Sequence, residues 1–101
     1  MASRLTLETK LKEILGSKNV YYEPPENYRI SYPCFIYSLT DVDRKAADNI
    51  GYALKNEYQI TWIGVIPDEE VMKKLLQLPY CSFDRSYKSD NLNHYIYNIY
   101  W

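Results

Sequence analysis

Histidine occurs once in this chain, at position 94, and cysteine twice, at positions 34 and 81. Hydrolytic or group-transfer chemistry needs a nucleophile with its base, a pair of carboxylates, or ligands at metal-binding spacing. His94 lies in the alternating run Asn93-His94-Tyr95-Ile96 and reads as a surface or sheet-packed side chain. One histidine and two remote cysteines do not make a structural zinc site. Asp41-Val42-Asp43 and Asp48 offer carboxylates to a cation, but the Gly and terminal Glu of a calcium loop are missing, so solvated loop charge is the reading. Asp84-Arg85 reads as a surface ion pair on a strand, or as edge polarity that discourages wrong pairing. Gly51 and Gly64 stand alone, with no phosphate-cradling run. Aromatic and basic residues adjoin at Tyr28-Arg29 and Tyr87-Lys88, as on single-strand nucleic-acid platforms. The net charge of −1 gives no positive footprint for such a partner. The residues therefore predict a protein with no cofactor that is not an enzyme.

The elements that would carry these residues follow from periodicity. Leu7, Leu11, Ile14 and Leu15 repeat on one helical face, Ser3 is a candidate N-cap and Gly16 a C′ residue, which predicts a helix from Arg4 to Leu15. Asn19 to Glu23 predicts a short strand before Pro24-Pro25. Cys34 to Leu39 is a nearly continuous apolar run of strand length. In Glu57 to Ile66, Tyr58, Ile60 and Trp62 alternate with Gln59 and Thr61, the pattern of a half-buried antiparallel strand. Pro67 suits a first helical position, Asp68, Glu69 and Glu70 suit the positive end of a helix dipole, and Val71, Met72, Leu75 and Leu76 form a stripe, so a second helix is expected up to Pro79. Tyr80 to Tyr87 and Leu92 to Trp101 read as a hairpin joined by about four polar residues, Lys88 to Asn91. Tyr100 and Trp101 are expected to be tied into the sheet. Between the two central strands, Thr40 to Lys55 is too polar for a core strand and reads as a long arm.

The order predicts an α+β two-layer sandwich, an antiparallel sheet of four to five strands with two helices packed on one face. A chain of 101 residues with 47% hydrophobic and 25% charged residues is a single domain over 1–101 with an ordinary globular composition. Tyrosine is the outlier, twelve against two Phe and two Trp. Rings that carry a hydroxyl suit surfaces buried on one side and wet or shared on the other, as interfaces are. No stretch approaches the roughly 20 apolar residues of a membrane helix, and Met1-Ala-Ser-Arg leads into a helix with no secretory signal. Both thiols are accordingly expected reduced and buried in a protein made in the cytoplasm.

The set formed by Ser3-Arg-Leu-Thr-Leu-Glu-Thr-Lys-Leu-Lys-Glu-Ile-Leu-Gly16, Val20-Tyr-Tyr-Glu-Pro-Pro25, Tyr32-Pro-Cys-Phe-Ile-Tyr-Ser-Leu39, Leu78-Pro-Tyr-Cys-Ser-Phe-Asp-Arg85 and Asp90-Asn-Leu-Asn-His94 resembles the small virion proteins of tailed bacteriophages encoded between the head-tail connectors and the major tail protein. It is most similar to the tail terminator, or tail completion, family. The resemblance implies a structural protein with a curved antiparallel sheet flanked by helices. Such a protein assembles as a hexameric ring, caps the tail tube and joins it to the neck. It implies contacts with further copies of the chain, the major tail tube protein and the head-tail connector or head-closure protein, with encapsidated DNA passing through the lumen unbound. The arm residues Asp41, Asp43, Arg44, Lys45, Asp48, Asn49 and Tyr52 are the expected ring, tube or lumen contacts, and the virion head-tail junction is the expected location after synthesis in the host cytoplasm. The alternatives are a head-closure or other neck protein and, from another class, a small cytoplasmic adaptor that binds proteins through its sheet edge.

Overall fold

The computed structural model describes residues 4–43 and 55–101. Helix α1 spans Arg4–Leu15, β1 Val20–Tyr22, β2 Cys34–Asp43, β3 Lys55–Gly64, α2 Glu69–Leu76, β4 Cys81–Ser89 and β5 Leu92–Tyr100. The five strands form one sheet in the order β1-β2-β3-β5-β4. Both helices bury their stripes in one core against it, so the fold is the expected α+β sandwich. The four long strands pair antiparallel, while β1 joins β2 in parallel.

Helix α1 ends as its sequence dictates. Gly16 adopts φ 74°, and the amides of Gly16 and Ser17 both reach the Lys12 carbonyl, at 2.9 and 3.3 Å. The Ser17 bond is the 6→1 bond of a Schellman motif and the Gly16 bond the 5→1 bond of an αL cap, and a left-handed residue at that position favours glycine. Leu7, Leu11 and Ile14 are buried. Helix α2 starts two residues later than Pro67 suggested, because Asp68 is the N-cap. Its carboxylate accepts from the amides of Glu70 and Val71 at 3.1 and 3.3 Å, satisfying two donors that a helix start leaves open. Val71 and Leu75 are buried, whereas Leu76, expected in the stripe, is exposed.

The register aligns the apolar rows. Phe35 lies across from Trp62 and Trp62 from Tyr95; Tyr37, Ile60, Tyr97 and Phe83 form the next row; Leu39, Tyr58, Ile99 and Cys81 the next. Tyr58, Ile60 and Trp62 are all at most 3% exposed, so the inward face expected of this strand is the observed one. The strand itself ends at Gly64, and Val65 and Ile66 stand 66% and 78% exposed beyond it. Gly64 is required by close approach, since a Cβ there would come within 2.6–2.7 Å of the Trp62 ring.

The last hairpin is tighter than the expected connection. Ser89 pairs with Leu92, leaving only Asp90 and Asn91 as the turn, with φ 53° and 63°. Two left-handed residues make the type I′ turn that matches strand twist, and Asp and Asn tolerate that conformation better than other non-glycine residues. Past β5, the Trp101 backbone exchanges hydrogen bonds with Asn56 at 2.9 and 3.2 Å, and its indole N–H donates to Thr6 Oγ1 at 2.9 Å. The terminal aromatics are thus tied into sheet and helix alike.

Replacing Trp62 by Ala is expected to cost about 3–5 kcal/mol, the usual range for emptying a large core site, and Gly64→Ala about 1–3 kcal/mol from overpacking against the indole. Urea unfolding of both variants checks this assignment. A loss under about 1 kcal/mol for Trp62→Ala would place that face in solvent.

Candidate functional site

The densest polar constellation among the described residues joins α1 to the sheet. Arg4, Glu8 and Lys12 stand one helical turn apart, which aligns them on one side of α1. The Tyr37 hydroxyl donates to Glu8 Oε1 at 2.8 Å and accepts from Arg4 Nη1 at 3.0 Å. Arg4 also lies over the Tyr22 ring, 4.3 Å from its centroid, and Lys12 reaches Glu8 at 3.4 Å. Burial, then the hydrogen bond to Glu8, pushes the Tyr37 hydroxyl well above the ordinary tyrosine range. A phenol held protonated between a carboxylate and a guanidinium is a clamp rather than a base, because neither partner removes its proton at working pH. The i, i+4 charge pattern was visible in the sequence. That its partner is Tyr37 was not.

The residues weighed for catalysis do not converge. His94 stacks on Tyr87, centroids 4.6 Å apart and planes within 8°, with Nδ1 3.1 Å from the Leu92 carbonyl. Asp84 and Arg85 form an exposed ion pair at 2.7 Å. Cys34 is buried on the sheet face away from the helices, across from Ile63, whereas Cys81 is only half-buried, on the helix face across from Ile99. The expectation that both thiols are buried thus holds for Cys34 alone. Cys81 begins the edge strand β4, which among the described residues has a neighbour on one side only. Among the described residues, no three His, Cys, Asp or Glu side chains gather as a metal site.

Part of the segment expected as an arm is strand. Strand β2 continues through Asp43 and β3 starts at Lys55, with Asp41 across from Glu57 and Asp43 across from Lys55. Polar side chains did not break the ladder, since the backbone makes its hydrogen bonds whatever the side chain. Asp41 and Asp43 are therefore strand residues. Arg44, Lys45, Asp48, Asn49 and Tyr52 lie outside the described residues.

What the fold presents instead is surface. All of β4 after Cys81 is exposed, with Phe83 at 45% and Tyr87 at 49%. At one end of the sheet Tyr32, Pro33, Val65 and Ile66 line an open apolar groove, and another runs between Tyr21, Tyr22, Pro24, Pro25 and Tyr28. No helix of the described residues is long and apolar enough to cross a membrane. Neither a protein-family model nor a curated protein matches the sequence.

Removing only the Tyr37 hydroxyl, as Phe, is expected to cost about 1–3 kcal/mol, because Glu8 and Arg4 each lose a charge-assisted partner; thermal unfolding beside Glu8→Gln would show shared, non-additive losses if the clamp acts as a unit. A second expectation concerns alkali. Burial raises the Cys34 thiol from 9.0 to about 12, the Cys81 thiol to about 11 and the Tyr97 hydroxyl from 10.0 to about 12. The folded state keeps these protons after the unfolded chain has released them. Stability is then fully present below about pH 9 and falls as pH rises towards 12. Urea midpoints between pH 7 and pH 11 test the sign, and a midpoint rising over that interval would refute it.

Proposed function

We propose that this protein is a structural component of a tailed-bacteriophage virion, a tail terminator or tail completion protein that forms a ring at the head-tail junction. The single observation that carries an assembly role is where the apolar surface lies. Phe83 and Tyr87 stand exposed on an edge strand, and Val65 and Ile66 at the sheet's end, so a small domain leaves large side chains in water at two separate places. Val65 and Ile66 join Tyr32 and Pro33 in one open apolar groove, and contiguous exposed apolar groups of that kind mark contact surfaces. The narrower virion reading draws its support from the segments around Val20-Tyr-Tyr-Glu-Pro-Pro25 and Leu78-Pro-Tyr-Cys-Ser-Phe-Asp-Arg85, which resemble that family.

In this reading the subunits meet one another and the tail tube through such surfaces, and Asp41, Asp43, Arg44, Lys45, Asp48, Asn49 and Tyr52 contribute ring, tube or lumen contacts. Negative charge facing a lumen would repel DNA phosphate, so a genome would pass without sticking. A head-closure or other neck protein uses the same kind of surface. The exposed β4 edge also favours a second reading, an adaptor that takes up an extended peptide as an added strand.

Sedimentation over a range of concentrations, alone and with the major tail tube protein, tests the proposal. The expected outcome is a hexamer and co-sedimentation with the tube. A species that never exceeds a dimer and ignores the tube would reject the ring.

A further inference from the structure

We infer that β4 is a self-complementary edge, which pairs antiparallel with the β4 of a second copy about a two-fold axis passing between Asp84 and Arg85. The inference concerns the free protein and does not depend on the virion role. Strand β4 is last in the sheet order, and among the described residues only β5 pairs with it.

The backbone decides which residues can bond outward. In an antiparallel pair alternate residues direct their N–H and C=O groups to the neighbouring strand and the others away from it. The two-residue turn makes Ser89 and Leu92 the closing hydrogen-bonded pair, so Tyr87 and Arg85 also face β5 while Ser86 and Lys88 face out. At the other end the Tyr100 amide donates to the Tyr80 carbonyl at 3.2 Å. Ser82 therefore faces β5, and Cys81 and Phe83 face out. The register shift between Phe83 and Arg85 is what changes the phase.

A strand with such a phase change pairs with itself along its whole length only if the arm before the bulge meets the arm after it. An axis between Asp84 and Arg85 does this. Phe83 then lies across from the second copy's Ser86, and Cys81 from the second copy's Lys88, each with its outward-facing groups. The same axis sets Asp84 against the second copy's Arg85, twice over by symmetry. Moving the axis to Ser86 would oppose Phe83 to Ser89, whose groups already face β5. Phe83 and Ser86 lie across from Tyr97 and Tyr95 on the helix face, so the faces also match. The charges and the bulge that guard an edge against arbitrary strands thus become specific for its own copy. The Asp84–Arg85 pair at 2.7 Å is exposed, and exchanging one partner for another in water costs little.

Paired cysteines and a charge exchange test the register in the full-length protein. Directly opposite residues of a non-hydrogen-bonded pair stand about 4.5 Å apart at Cα, within disulfide reach; Ser82 and the second copy's Tyr87 form such a pair. The double variant Ser82→Cys/Tyr87→Cys is expected to oxidise to a covalent dimer, and each single variant is not. In parallel, Asp84→Arg should weaken self-association about tenfold by opposing like charges at two symmetric places, and Asp84→Arg/Arg85→Asp should restore it. Circular dichroism confirms the fold of each variant, and the charge exchange stands alone if Tyr87→Cys fails to fold. A monomeric wild-type protein, single variants that cross-link as readily as the double, or a folded charge exchange that does not restore association would each overturn the pairing. Hexamers that form without the cross-link would sink this inference and leave the ring standing; cross-linked dimers that never enlarge would do the reverse.

Discussion

Strand β3 has a neighbour on both sides and an apolar row on one face, and the rest of the domain is arranged to cover that row. Tyr58, Ile60 and Trp62 are buried, and each has its counterpart across the ladder in β2 and β5. Leu7 and Leu11 of α1 and Val71 and Leu75 of α2 close the same cluster. Because side chains on a strand alternate, shifting β3 by one residue would bring Gln59 and Thr61 inward and turn the whole row into solvent. Register, helix placement and the compact Gly64 beneath the Trp62 ring are consequences of that one constraint.

Among the described residues the packing is nearly free of polar compromise, with two places where it is not. The Trp62 indole N–H and the Tyr97 hydroxyl are buried without a hydrogen-bond partner. Each costs free energy that neighbouring apolar burial offsets. Tyr37 solves the same problem differently. Its ring lies in the core, and its hydroxyl emerges beneath α1 between Glu8 and Arg4, so a single side chain joins the apolar layer to the charged face of the helix. This is what abundant tyrosine accomplishes in such a fold: ring area inside and a polar contact at the boundary.

The two faces of the sheet differ in what covers them. The helices cover the row of Tyr58, Ile60 and Trp62 on one face, while the other runs from Cys34, Ile63 and His94 at one end to Ser38, Gln59 and Asn98 at the other, a gradient from apolar to polar along the strands. Strand β4 is exposed on both faces after Cys81. Edge strands with free backbone groups invite pairing, which links the topology to the assembly role proposed for the protein.

The helix from Arg4 to Leu15, its glycine stop and the inward face of β3 were legible in the sequence because each is a local pattern, a 3.6-residue or two-residue repeat with its punctuation. So was the absence of any run of ligand-type residues at site spacing. The strand order was not legible. Within Cys81 to Ser89 the charges of Asp84 and Arg85 hinted at an edge without deciding it, since a surface ion pair on a covered strand reads the same, and the pairing of β5 with β3 is what places β4 outermost. The parallel attachment of β1, the continuation of β2 through Asp43 and the bond from Tyr37 to Glu8 were likewise decided by tertiary structure. Each joins residues far apart in the chain, and such contacts depend on which surfaces remain to be buried once the local elements have formed.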